Sequence, residues 1–234
     1  MSLTYSTFVT DLANMLVVPS TDPNYQLVLP NIIDDAEQRI YRELDLLSTI
    51  VRDQSATLTA SSRNFTFPQH FIASEEISFF TPVGTTVNRV PLVPASKEFI
   101  NFTWANEAPS TTPSYPVYYA MITDQTIIVG PPPDAAYTVE VTGTIRPAPL
   151  SATNTTTYLT TYLPDLFFAA ALVFSSGYLQ NYGAAAENPE QATSWEAHFN
   201  TLLKSANVEE LRKKYSSVAW SSKIPSPIAT PPRV

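Results

Sequence analysis

Apolar residues recur along the chain with two different periods, and the changes between them divide it. Near the start Phe8, Val9, Leu12, Met15 and Leu16 repeat at helical spacing, with Ser6 and Thr7 placed as N-caps and Pro19 as the limit. The polar stretch from Ser20 to Asn24 reads as a loop. A second helix is expected to open at Leu29-Pro30-Asn31, with Pro30 in its first turn and Asp34, Asp35 and Glu37 near the positive end of its macrodipole. Its apolar face is Ile33, Ala36, Ile40, Leu44 and Leu47, with Arg39 and Arg42 pointing elsewhere.

From about Ser48 to Arg146 the pattern shortens to β-like runs rich in Thr, Val, Ile, Phe and Tyr. The expected strands are Ile50–Leu58, Asn64–Phe67, Glu76–Thr81, Thr86–Val90, Val117–Ile122, Thr126–Val129 and Tyr137–Ile145. Pro82-Val83-Gly84 and Thr123-Asp124-Gln125 fit hairpin turns, and a short helix over Ser96–Trp104 interrupts the series. Short strands with tight connections predict a small antiparallel sandwich or barrel.

Helical spacing returns at Leu163-Pro164-Asp165 and runs to Tyr182, before Gly183. Because Leu166–Phe174 is apolar nearly all round, this helix is expected at the centre of a bundle. The next opens at Asn188-Pro189-Glu190-Gln191 and presents Ala192, Trp195, Phe199, Leu202 and Leu203. From Ser216 onward the chain is rich in Ser and Pro and lacks the apolar surface to order itself alone. The predicted fold class is therefore α+β: an α-helical bundle (1–47 and 151–215), an inserted antiparallel β-sandwich or barrel domain (48–150), and an extended C-terminal tail (216–234).

Charge sharpens this division. Charged residues make up 15% of the chain, against a usual share of about 25%, so part of the surface is expected to be covered by other subunits, the alternative being a polar surface of Ser, Thr, Asn and Gln. Residues 204–234 hold six basic and two acidic residues, a net +4, which leaves the rest at −12 out of a total of −8. An acidic body argues against general nucleic-acid binding, and a basic tail addresses a different partner. Cysteine is absent, which excludes disulfides and thiolate chemistry. The longest apolar run, Leu166–Phe174, is far short of the roughly 20 residues that span a bilayer, and Met1–Tyr5 lacks the features of a secretion signal.

Candidate chemistry is sparse. The two histidines, His70 and His198, are distant in sequence, and each reads as structural. No Gly-x-Ser-x-Gly elbow supports a serine nucleophile, and the pairs Asp34-Asp35 and Glu75-Glu76 point apart along their elements. Gly130 is followed by three prolines, which remove the N–H donors of a phosphate cradle. No catalytic, cofactor or metal site is expected. Trp104, Tyr115, Tyr118 and Tyr119 suggest a stacking platform, the basis of an alternative reading as a receptor- or glycan-binding tail module. The C-terminal region is richer. Arg212, Lys213 and Lys214 suit the negative end of a helix, but that does not account for Tyr215, Val218, Trp220 and Ile224, apolar anchors spaced along a basic segment.

An ordered pattern runs through the second half: Thr112-Pro113 with Tyr115 and Tyr118, the run Ile127 to Tyr137 (IIVGPPPDAAY), Val139, Val141, Arg146-Pro147, Leu150-Ser151, Tyr158-Leu159 and Tyr162 to Leu166 (YLPDL). Upstream lie Thr4-Tyr5-Ser6-Thr7 and the Leu29–Leu44 segment with its Ala36-Glu37-Gln38-Arg39-Ile40 core. In these residues, over nearly all of 1–215, the chain resembles the head-to-tail adaptor (head-completion connector) proteins of tailed phages. The resemblance implies a non-enzymatic subunit of a homo-oligomeric ring, of twelve copies, in the virion neck. Such a ring is assembled in the host cytoplasm and sits between the portal protein and a tail or nozzle protein, with DNA passing through its lumen unread and no membrane involved. It also implies that the C-terminal segment reaches the portal, which assigns portal binding to Arg212, Lys213, Lys214, Tyr215, Val218, Trp220, Lys223 and Ile224.

Overall fold

The computed structural model describes residues 3–68, 71–83, 86–105, 113–178 and 189–218. They form two compact units, one made of Met1–Leu47 with Ala148–Val234 and the other of Ser48–Pro147.

The first unit is helical. Helix α1 (Tyr5–Met15) is capped by Thr4, not by Ser6 or Thr7: Thr7 is the N3 partner in a reciprocal capping box, with the Thr4 N–H donating to Thr7 Oγ1 at 2.9 Å. Its Phe8, Leu12 and Ala13 are buried, and the Phe8 ring stacks on Phe167 at 4.7 Å. Helix α2 (Pro23–Glu43) starts well before the expected Leu29, with Asp22 as N-cap and Pro30 inside the helix. An internal proline costs roughly 3 kcal/mol. The buried row Tyr25, Leu29, Ile32, Ile33, Ala36 and Ile40 runs straight across it, and each large side chain in such a row contributes roughly 1.5–3 kcal/mol on burial, so continuity of the face wins. Asp34, Asp35 and Glu37 therefore lie mid-helix, and the first turn holds no acidic residue. Leu47 is half exposed while Leu46 is buried, because a 3-10 turn (Leu47–Thr49) ends the segment.

A short helix, α4 (Tyr158–Tyr162), was not expected; its Thr157/Thr160 capping box is a signal that the sequence carried. Helix α5 (Pro164–Tyr178) packs against α1, α2, α4 and α6 (Pro189–Val218), and so occupies the central place its all-round apolarity predicts. Gly183 and Asn188, the expected stop and cap, lie outside the described residues. Helix α6 runs to Val218, past the expected start of the tail at Ser216, since no proline or glycine stops it there. Trp220, Lys223, Ile224 and the rest of 219–234 lie outside the described residues.

Among the described residues, the second unit contains eight strands and one helix: β1 (Ile50–Leu58), β2 (Asn64–Thr66), β3 (Phe71–Val83), β4 (Thr86–Pro91), β5 (Val93–Pro94), α3 (Lys97–Thr103), β6 (Tyr118–Met121), β7 (Thr126–Gly130) and β8 (Tyr137–Ile145). They form two four-stranded sheets, β1-β8-β3-β4 and β2-β7-β6-β5. Neither sheet closes, so the barrel alternative falls, and β5 pairs with β6 in parallel where only antiparallel pairing was expected. Strand β3 is longer than predicted because two register shifts, at Phe71/Ala73 and Ser74/Glu76, absorb its irregular pattern against β8. Gly143 pairs with Ser74, between the two shifts, where a Cβ would lie 2.4 Å from the Ala73 carbonyl oxygen. Leu58, Ile77, Phe79, Val139 and Val141 of one sheet and Phe65, Ile127 and Val129 of the other share one apolar cluster. The tip at Gly84 and the loop position of His70 lie outside the described residues.

Candidate assembly interface

Three buried or half-buried ionic centres fix the framework. Glu37, 2% exposed, accepts the Leu150 N–H at 3.2 and 3.3 Å, and burial pushes its carboxyl up to about 7. Arg39 binds Glu196 on α6 through both terminal nitrogens, at 2.7 and 2.5 Å, while its Nε reaches Glu43 at 2.8 Å. Its guanidinium also lies 4.2 Å from the Phe199 ring centroid. In the β unit the buried Glu140 is met by Arg89 and, at 3.5 Å, by Arg52, and Gln54 donates to it.

The end of α6 is held by a further centre, built around Glu210. This residue is buried and accepts from Lys213 Nζ at 2.7 Å, the Tyr158 hydroxyl at 3.0 Å and the Leu47 N–H at 3.4 Å. Burial opposes its charge, but these donors together hold its carboxyl below the ordinary value. Lys213 also reaches Glu209 at 3.1 Å and donates to the Tyr158 hydroxyl at 2.7 Å. Burial works against its charge too, yet Glu210, Tyr158 and Glu209 hold its pKa above the ordinary value. Lys214 pairs with Asp45. The basic cluster is thus split: Lys213 and Lys214 join α6 to α4 and to the chain following α2, and Arg212 alone of the three faces solvent.

Arg212 does so within an apolar row. Val208, Leu211 and Tyr215 are 48%, 42% and 64% exposed, and their spacing along α6 places them on one helix face. Val208 and Leu211 were not singled out from the sequence, although that spacing was readable there. Ser216–Val218 extend the helix toward the basic tail.

The aromatics of the alternative reading do not form one platform. Trp104 and Tyr118 meet with ring centroids 6.1 Å apart in a small cluster with Ile100, Ala120 and Ile128. Tyr119 follows Tyr118 on β6, and successive strand residues point to opposite faces; it packs against the main core of the unit. Tyr115 leans on Tyr137 at 5.9 Å. Trp104 lies so close to Gly130 that a Cβ there would come within 2.5 Å of its ring. His198 meets Trp195 edge-on at 6.1 Å. Among the described residues no cluster of three or more metal-ligating side chains occurs, and no helix is long and apolar enough to cross a membrane.

None of the curated proteins compared with the chain matches it. Residues 3–223 match the SU10 adaptor protein family, so the chain belongs to that family of phage adaptors, the kind of protein its motifs resemble.

Proposed function

We propose that the protein is a structural subunit of the phage neck: copies form a ring, of twelve subunits, that docks on the portal, carries the tail or nozzle protein on its other side and lets DNA pass through its lumen. The family match, which spans both units, carries this reading. The split electrostatics support it, since an acidic body does not hold a passing polyanion while a basic end grips a different surface. Arg212 and Tyr215, on the open face of α6, make the first portal contacts, and Val218, Trp220, Lys223 and Ile224 continue them; Lys213 and Lys214 contribute after exchanging internal partners. Assembly takes place in the host cytoplasm and the mature location is the virion neck. The protein performs no catalysis and needs no cofactor.

Removing residues 219–234 leaves α6 intact, so it tests the reading cleanly. The shortened protein is expected to fold and to co-sediment poorly with purified portal rings. Equal co-sedimentation of the shortened and full chains would refute the tail's role. A ring-sized mass in native mass spectrometry of the portal-bound complex is the expected result for the assembly, and a single copy per portal ring would overturn it.

A further inference from the structure

The helical unit carries an open groove of about 410 Å³ between α1, α5 and α6, lined among others by Asp11, Asp165, Phe168, Trp195 and His198. Its floor is apolar. Phe168 and Trp195 are half-buried against the core, and the buried Ala169 lines the groove with them. Its rim is acidic, because Asp11 and Asp165 are exposed and, among the described residues, no lysine or arginine lines the groove. Aromatic rings beneath a pair of carboxylates suit an extended, proline-rich peptide bearing a cation: the rings stack against prolines, whose conformation is set in advance, and the carboxylates meet the charge.

The chain itself contains such a peptide. Residues 224–234 read Ile-Pro-Ser-Pro-Ile-Ala-Thr-Pro-Pro-Arg-Val, with four prolines, one arginine and no acidic residue. They lie beyond the span that matches the adaptor family, which ends at residue 223. Length allows them to return to the same subunit. From Val218 back to His198 along α6 is about 30 Å at the rise of a helix. From Val218 to Pro231 a proline-rich extended chain covers about 40 Å at ~3.1 Å per residue. Lys223 has too short a lead to arrive there, at about 15 Å on the same measure, which singles out Arg233 as the cation.

We propose that this groove is a resting site for the chain's own C-terminal segment, with Pro231-Pro232 over Trp195 and Phe168 and Arg233 facing Asp11 and Asp165. The segment that grips a partner is then stored on its own subunit until a partner displaces it. The inference adds a site to the adaptor reading and does not need portal docking to be correct, since the groove and the peptide are compared within one chain.

The absence of cysteine makes the test specific, because any introduced pair is unique. The full-length variant His198→Cys/Thr230→Cys, oxidised mildly at low micromolar concentration without portal, is expected to form an intramolecular disulfide at least five-fold faster than the control pair Asp35→Cys/Thr230→Cys on α2. Adding Asp11→Asn and Asp165→Asn is expected to abolish most of that advantage. Equal rates for the two pairs, or no effect of the two asparagines, would overturn the proposal. A disulfide between two chains would overturn the same-subunit assignment. A second readout avoids changing His198: a bimane label on Thr230→Cys is expected to brighten about two-fold when Trp195 becomes Phe, and an unchanged signal counts against the site. Neither experiment involves the portal, so failure here leaves the co-sedimentation result standing, and the reverse holds as well.

Discussion

Glu37 and Glu210 are two buried carboxylates in one helical unit that titrate in opposite directions. Glu37 has one backbone N–H as its donor, from Leu150, so burial dominates and pushes its carboxyl from 4.5 up to about 7. The folded protein therefore binds this proton more tightly than the unfolded chain does. Stability associated with Glu37 is fully present below about pH 4.5 and is lost as pH rises toward about 7. The loss is on the order of 3 kcal/mol. Glu210, supplied with three donors, has its carboxyl below the ordinary value; its contribution is present above the unfolded value and fades as pH falls through the folded one. A Glu37→Gln variant keeps a carbonyl to accept from Leu150 but cannot ionise. Its urea midpoint is expected to fall less than the parent's between pH 5 and pH 8 and to exceed the parent's at pH 8. A parent and variant with parallel pH profiles would show that Glu37 is already well solvated. Glu37→Leu, by contrast, leaves the Leu150 N–H unpaired and should cost about 1–3 kcal/mol near pH 5.

Helix α6 shows how one element divides its work between faces. Turned inward, Phe199, Ala206 and Glu210 join the core; turned outward, Val208, Leu211, Arg212 and Tyr215 meet solvent. Substitutions on the two faces should behave differently. Glu210→Ala removes the shared partner of Lys213, Tyr158 and Leu47, and breaking a buried ion pair of this kind costs about 3 kcal/mol. Arg212→Ala, at an exposed position, should stay within about 0.5 kcal/mol; urea denaturation of the two variants checks both. The same contrast explains what the sequence revealed. Strands β1, β4, β7 and β8 and helices α3 and α5 were readable because local period, turn residues and burial agree in them. Helix α2 was misread at its start because Pro30 is a strong local stop signal, overruled by long-range packing of Leu29, Ile32 and Ile33 that no local window contains. The parallel β5–β6 pairing was invisible for a similar reason, as two residues carry no period. At the candidate interface, the charges of Arg212, Lys213 and Lys214 were plain, but their partners were not. Asp45 and Tyr158 are far away in sequence from Lys214 and Lys213, and nothing in the spacing of the basic residues says which of them folding will consume.

At the scale of the whole molecule, an acidic body with a basic end favours a partner contact through exposed groups near that end. Arg212 and Tyr215 are exposed on the outer face of α6, and Leu211 lies beside them. If they meet the portal, then Leu211→Asp with Tyr215→Asp places two carboxylates in a desolvated contact and removes an aromatic anchor, for which losses of about 2 kcal/mol or more are usual. That corresponds to a roughly 30-fold weaker association with portal rings. All three side chains are exposed, so the thermal unfolding of the free subunit should hardly move. Arg212→Glu should act mainly on the association rate, with an effect that shrinks as salt is raised and the charge is screened. Lys213→Glu should instead lower the stability of the free subunit, since it places a third carboxylate beside Glu209 and Glu210 and removes the donor to the Tyr158 hydroxyl. Binding to immobilised portal rings at low and high salt, measured beside the melting temperature of each variant, separates these outcomes. If the Arg212 and Tyr215 variants bind as the parent does while only the Lys213 variant fails, the outer face of α6 is solvated surface and the portal contact lies elsewhere.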